Sequence, residues 1–504
     1  MNRFVSNRHP KKFLFGIWLL ALLISCRAAE NPQIRPPAVA GAFYPADKAE
    51  LQSMIHTFLQ NAQTVQLAGP PVAVIAPHAG YVYSGHVAAY AYAAVRNRPY
   101  ERVVVIAPSH FEAFDGVSIF EGSAYRTPLG DVPVDRAFSQ KLADRSEVCF
   151  LSQKGHIPGV SGRGEHALEV QLPFLQTVLP KFKLVALVMG DQSYPTCRSL
   201  GKALARLISD EKTLIVASSD LSHYHPYEEA VQRDKKVLRA IEEWDYFNLA
   251  RNFQNRLWEA CGGGPIVATM IAAEELGANR AVLLKYANSG DVPAGERSRV
   301  VGYSAFALLN DPGWSENRSE NFRLNKEEQK ELLKLARRAV ETRIREGEII
   351  KASADDPLLL ADRGAFVTLT IKGQLRGCIG YTSPVEPLYQ TVRDVAIKAA
   401  ESDPRFPPVN EDELPLLHYE ISVLSPLRRV KDISEIEVGK HGLLVVNGYR
   451  AGLLLPQVPQ EYGWNRRTFL EQTCRKAGLP PDAWQDEKTD IFKFTAFVFG
   501  GEDE

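Results

Sequence analysis

Two apolar runs in this sequence end in the same chemistry. Residues 72–85, VAVIAPHAGYVYSG, pass from a strand-like run into a polar, glycine-bearing turn that carries His78. Residues 102–110, RVVVIAPSH, repeat that grammar and close on His110. A third run, TLIVASS at 213–219, leads into Asp220 and then His223 and His225, and CGGGP at 261–265 places Cys261 where a helix begins. A lone histidine at a strand end is commonly a hydrogen-bonded structural residue, and a lone cysteine a small buried hydrophobe. Recurrence changes that reading, because packing does not require two Ala-Pro-(x)-His strand ends plus an Asp-x-x-His. Neutral imidazole and thiolate donors suit Fe, Cu or Zn rather than Mg or Ca. Asp220 and His223 are either ligands themselves or groups that orient a ligand and move protons.

Such a site needs a scaffold that gathers strand ends. The runs are continuous rather than alternating in hydrophobicity, as in strands buried on both faces. In open α/β sheets ligands sit beyond the carboxyl ends of such strands. Around the runs, Asp47 or a neighbour caps a helix through Gln60, residues 86–96 read as a helix packing back on the sheet, and Asp135 starts another. Residues 161–176, SGRGEHALEVQLPFLQ, put His166, Glu169 and Leu172 at helical spacing on one face. Further strands are expected over 185–189 and 299–309, and a charged helix over 235–243. This βα alternation predicts a three-layer α/β domain.

Length and charge set outer limits. The 504 residues, 45% hydrophobic and 24% charged, suffice for two or three domains. A formal net charge of −1 argues against nucleic acid as a partner. At the N-terminus Arg3, Arg8, Lys11 and Lys12 precede an apolar run over 13–24 and the tetrapeptide Leu23-Ile24-Ser25-Cys26. That pattern reads as a signal peptide over 1–25. The tetrapeptide resembles a bacterial lipobox, which implies Cys26 as a lipidated first residue of an exported, membrane-anchored lipoprotein, with secretion or a periplasmic location as the alternative. Residues 26–34 would then be a tether.

The run from 35 to 310 resembles the Memo family through APHAGYVYSG, APSH, EHALEVQLPFL, SSDLSHY, CGGGPI and VVGYSAFAL, in family order. Memo proteins are similar to LigB-type class III extradiol dioxygenases, non-haem iron enzymes. The resemblance implies a metal on His78, His110 and Cys261, with Asp220 and His223 beside it. It implies Fe(II) first; a thiolate in place of a carboxylate also favours Cu or Zn. In that case His223 serves as acid/base, Asp220 fixes its tautomer, and a small phenolic or related molecule is the substrate. Tyr81 and Tyr83 are candidate substrate contacts, with aromatic packing as the plainer role. His166 and Glu169 are candidates for the entrance, or form a structural pair on a helix face.

A polar linker, 311–324, precedes a second domain over 325–500. Asn325 caps an amphipathic helix over 326–346, and strands at 366–371 and 375–381 form a hairpin across Lys372-Gly373. With LRGCIG, ESDPRFPPV, YEISVLSP and GLLLPQVPQEYGW, this smaller α+β domain resembles the AMMECR family. Arg376 is a candidate for binding an anion, or for pairing with Glu420 or another carboxylate, and Cys378 for a nucleophile. The fused pair resembles the bacterial AmmeMemoRadiSam arrangement, which implies a separate radical-SAM partner protein. The functional expectation is a metal-dependent redox enzyme; the alternatives are a zinc- or thiol-dependent hydrolase or transferase, or a non-catalytic metal- or peptide-binding module.

Overall fold

The computed structural model describes residues 33–63, 65–157, 164–209, 212–314, 322–354, 356 and 358–500. The first half is built on a nine-stranded sheet. Its central strands, Pro71–Ala76, Thr213–Ser218, Arg102–Pro108 and Lys183–Met189, run parallel in that spatial order. Val300–Leu309 pairs antiparallel with Pro71–Ala76 and also with Arg280–Asn288 and the short strand His223–His225. Val117–Phe120 and Cys149–Ser152 finish the far edge.

Each buried strand feeds two cores. Ala73, Ile75, Val104 and Ile106 join one apolar cluster, while Val74, Ala76, Val103 and Val105 join the other. Successive side chains leave opposite faces of a strand, so a continuous apolar run is what a sheet covered on both sides requires. The helices Lys48–Asn61 and Tyr81–Val95 cover one face; Tyr194–Leu207 and Gly263–Glu275 cover the other. The result is the expected three-layer α/β domain. Asp47 caps the first helix by accepting from the Ala49 and Glu50 N–H groups, and Asp135 caps Arg136–Arg145 through Phe138.

One helix expectation is corrected. His166 precedes any helix: a 3-10 turn covers Glu169–Gln171 and the α-helix is Leu172–Val178. His166 and Glu169 therefore do not share a helix face, and the helical-spacing argument for pairing them fails.

The second half is a separate, largely antiparallel sheet. Its order is Gln374–Tyr381, Ala365–Ile371, Leu417–Leu424, Thr489–Gly500, His441–Asn447, Arg450–Leu454, with Arg428–Arg429 pairing to the long Thr489–Gly500 strand. Helices Lys326–Glu346 and Leu388–Glu401 pack on one side over Val367, Leu369 and Ile421. Asn325 and Glu328 form a capping box at the first of these. The hairpin turn carries positive φ at Lys372 (50°) and Gly373 (74°), the backbone twist that a two-residue hairpin loop favours.

The two sheets share a core. Phe492 and Leu444 of the second domain join the cluster that contains Tyr194 and Phe247 of the first. Ring centroids are 5.0 Å apart for Tyr194 and Phe247 and 5.2 Å for Phe247 and Phe492. Around this apolar contact lie ion pairs between domains, including Arg363 with Glu243 at 2.8 Å and Lys236 with Asp362 at 3.1 Å.

Candidate metal centre

The parallel register brings the carboxyl ends of three strands together, so His78, His110 and Asp220 meet at one edge of the sheet. Cys261 arrives from the opposite wall, at the start of the Gly263–Glu275 helix. The glycines that follow it serve close approach rather than flexibility. A Cβ on Gly262 would lie 2.2 Å from the Ser218 carbonyl oxygen, and one on Gly263 would lie 2.6 Å from the Phe253 ring. Cys261 Sγ reaches His78 Nε2 at 3.0 Å, and the Asp220 N–H donates to the same sulfur at 3.3 Å. Ligand atoms of His78, Asp220 and Cys261 all fall within 4.8 Å of one another, and so do those of His78, His110 and His166. His78 belongs to both sets.

The hydrogen bonds behind these imidazoles fix which nitrogen is presented. Ser218 Oγ donates its single hydrogen to the Ala167 carbonyl at 2.6 Å, so it accepts from His78 Nδ1–H at 2.9 Å and from Gln171 Nε2 at 2.8 Å. His110 Nδ1–H donates to Glu165 Oε1 at 3.0 Å. His223 Nδ1–H donates to the Leu221 carbonyl at 2.8 Å. In each neutral ring the proton sits on Nδ1 and the Nε2 lone pair is left for a ligand. A carboxylate or carbonyl behind a histidine is the usual support for a metal-binding imidazole. Either set fits a transition metal by donor type, although the expected trio of His78, His110 and Cys261 is split between the two.

Electrostatics agree with the geometry. Burial, followed by the neighbouring His110, pushes His78 well below the usual imidazole range, so it stays neutral. Burial also lowers His166, to about 4. On His110 burial opposes charge, but the hydrogen bond and charge of Glu165 outweigh it and raise the ring's pKa. Burial would raise Glu165; the hydrogen bond from His110 and the charges of His110 and His166 outweigh that and hold it at about 2. Burial and then the Asp220 charge push the Cys261 thiol well above its ordinary value, so in the absence of a cation it is protonated. A bound metal would displace that proton.

Several expected roles change. Glu169 is not at an entrance: it is fully buried, salt-bridged to Arg35 at 2.5 Å, and accepts from the Ala38 and Val39 N–H groups and the Tyr44 hydroxyl. Its neighbour in that network holds the metal-side loop, since Arg35 Nη2 donates to the Glu165 carbonyl. Tyr81 is likewise buried, with its hydroxyl donating to the Val170 carbonyl at 2.6 Å and its ring packed on Phe174, so it is a core residue and not a substrate contact. Tyr83, two residues on, is 39% exposed. His166 lies inside the histidine cluster, stacked on His110 at 4.7 Å between centroids and flanked by Phe43 and Phe111. Asp220 does not orient His223; it accepts the His78 N–H at 2.8 Å, while Leu221 orients His223. His223 still lies near enough to His78 and Asp220 for a proton taken up on its ring to act on both. Beside it Tyr224 adopts a left-handed backbone, φ 63°, with an exposed side chain.

Glu165 was missed by sequence reasoning, as were Ser218, Gln171 and Gln192. Glu165 sits in the loop before the 3-10 turn and accepts four N–H groups: His110 N and Nδ1, His166 N and Ala167 N. In the second domain, the Arg376 guanidinium already holds a carboxylate, that of Glu413, at 2.7 and 2.9 Å, and donates to the Pro407 carbonyl. Its expected role in binding an external anion is corrected accordingly, and its partner is Glu413 rather than Glu420. Cys378 donates its N–H to Asp403 at 2.8 Å, and its sulfur accepts from Thr368 Oγ1 at 3.3 Å.

The sequence model of the family described as Memo-like protein matches residues 35–307. The chain belongs to the Memo family. A second family model, AMMECR1, matches residues 333–499. Among curated relatives of the Memo half, a MEMO1 family protein of Nitrosopumilus maritimus is 37% identical over 281 residues, covering 55% of this chain and all of that protein. MEMO1 family protein MJ0403 of Methanocaldococcus jannaschii is 38% identical over 289 residues, covering 54% of this chain and 98% of that one. Among solved structures, the Pyrococcus horikoshii protein PH0010 is 44% identical, covers 36% of this chain and 95% of its own, and has a TM-score of 0.35. Memo membership supports a LigB-like fold and is compatible with a metal-dependent function. The archaeal relatives correct one expectation: the family is not confined to bacteria, and the reading of a bacterial lipoprotein with its signal peptide is unsupported. Cys26 itself lies outside the described residues.

Proposed function

We propose that the Memo half of this chain is a non-haem metal protein that carries Fe(II) on His78, His110 and Cys261, with His166 and Asp220 within reach, and acts as a dioxygenase-like redox enzyme on a small phenolic or related molecule. The observation that supports this reading is the shared orientation of His78, His110 and His223, each with Nδ1 facing an internal acceptor, so that in the neutral ring Nε2 is the nitrogen left for a ligand or a proton. When bound, iron would supply a Lewis-acidic, redox-active centre for the oxygen atoms of substrate and for O2.

The chain's own groups divide the remaining work. His223 takes a proton from a phenolic hydroxyl on Nε2 and returns it later, because Leu221 occupies its other nitrogen. Asp220 fixes the His78 turn through the backbone N–H. Phe43 and Phe111 shield His166 from water, and the exposed Tyr83 is the aromatic contact for substrate. The fusion to an AMMECR1 domain supports placing the chain in an AmmeMemoRadiSam-type system with a separate radical-SAM partner. A second reading, a zinc- or thiol-dependent hydrolase or transferase, is favoured by one observation, the soft Cys261 donor beside Asp220.

The test is oxygen uptake by anaerobically purified, Fe(II)-loaded protein given catechols and aminophenols. Uptake that depends on both iron and substrate, and that His223→Ala lowers on the order of a hundredfold, supports the redox reading. Ester or amide hydrolysis by the zinc-loaded protein, without oxygen uptake by the iron form, would replace it with the second.

A further inference from the structure

The second domain touches two helices that together hold Cys261. Asp490, on the long strand Thr489–Gly500, is buried in the domain interface. Its carboxylate accepts from Tyr194 Oη at 2.8 Å and Arg198 Nε at 2.5 Å, both on the helix Tyr194–Leu207, and from Lys202 Nζ at 3.2 Å. Two residues before that helix, Gln192 clamps the Cys261 turn. Its Nε2 donates to the Cys261 carbonyl at 3.0 Å and its Oε1 accepts the Gly264 N–H at 2.7 Å.

The same two helices are locked face to face. Cys197 Sγ donates to the Gly264 carbonyl at 3.5 Å, and a Cβ on Gly201 would lie 2.8 Å from the Ala268 carbonyl oxygen. At the far end of the Cys261 helix, Arg429 of the second domain pairs with Glu275 and lies 3.7 Å from Glu274, which also accepts from Tyr246 Oη. Arg429 Nε is in turn 3.6 Å from Asp490. The helix that begins beside Cys261 is therefore gripped by the second domain at its C-terminal end, and the clamp on its N-terminal turn is gripped through Tyr194 and Arg198.

We propose that the AMMECR1 domain braces the thiolate arm of the metal centre, with Asp490 as a positioning residue that acts on Cys261 through Tyr194, Arg198 and Gln192. This rests on Cys261 being a functional donor, but the brace itself is measurable without metal. A fused second domain then has a mechanical role at a site to which none of its described residues contributes a ligand.

The experiment uses the full-length, metal-free protein and follows alkylation of Cys261 by iodoacetamide, read by peptide mass spectrometry. The sites Cys149 and Cys474 are buried away from these helices and serve as internal controls for global opening. Asp490→Asn and the milder Tyr194→Phe should speed Cys261 alkylation, the former on the order of tenfold, which corresponds to about 1.4 kcal/mol. Gln192→Ala should do the same, and Asp490→Asn combined with it should add little. Both control thiols should stay protected in each. Fully additive effects, or wild-type Cys261 reactivity in both interface variants, would overturn the brace. If Asp490→Asn exposes the buried thiols as well, Tyr194→Phe decides: selective reactivity at Cys261 supports the brace, and none refutes it. Failure of metal binding in the wild type would refute the proposed function while leaving this result readable.

Discussion

Glu165 binds more of the metal centre together than any residue the sequence singled out. It accepts the His110 N–H and Nδ1–H, and its hydrogen bonds to His166 N and Ala167 N shape the loop that delivers the third imidazole. Glu165→Gln keeps the volume but replaces one acceptor oxygen with a donor, setting an N–H against an N–H. Metal affinity should fall about 10- to 100-fold, the usual cost of losing an outer hydrogen bond to a liganding histidine, as read by chelator competition. Unchanged affinity would mean that His110 is not a ligand. The residue was hidden in the sequence because a glutamate in an irregular loop has no periodicity to mark it. His166 was visible but misassigned for a related reason: spacing of three residues implies a shared face only inside a helix, and here the backbone is a loop followed by a 3-10 turn. Glu169 followed the same error and proved to be the partner of buried Arg35.

The elements were the legible part. Residues 71–76, 102–108 and 213–218 announce doubly covered strands because both their faces are apolar, and their ends locate His78, His110 and Asp220. What the strand ends do not reveal is how near the opposing helix comes. That distance is set by Gly262 and Gly263, whose hydrogens face the Ser218 carbonyl and the Phe253 ring. Gly262→Ala should push the helix start away from the sheet, costing about 1–3 kcal/mol of stability in urea unfolding and lowering metal content sharply. Gly80→Ala is the matched control, since its added Cβ would meet nothing closer than 3.5 Å. Equal metal content in both variants would contradict the close-approach account. The stretch from Glu165 to Glu169 was illegible at this scale because its apolar residues, Ala167 and Leu168, are buried in a loop before the local helix starts.

At the scale of the molecule, the two domains were separable in sequence by the polar linker, whereas their shared interface was not, because its members are scattered from Tyr194 to Phe492. Asp490 makes that interface sensitive to acid. Burial alone would raise its carboxyl, but the Arg198 hydrogen bond and the charges of Lys202, Arg198 and Arg429 outweigh this and hold it below its ordinary value. A depressed folded value contributes stability that is complete above the unfolded value, about 4, and drains away as pH falls through the folded value. The gap in urea midpoint between wild type and Asp490→Asn should therefore be flat from about pH 7 to 5 and shrink below about 4. A gap that grows toward low pH would contradict the assigned pairing. The central claim, however, is the metal centre itself. Its most direct test is elemental analysis of the protein purified without oxygen, beside His78→Ala and Cys261→Ala. Stoichiometric iron is expected in the wild type, with its loss in both variants. No metal, or metal retained in both, would contradict it.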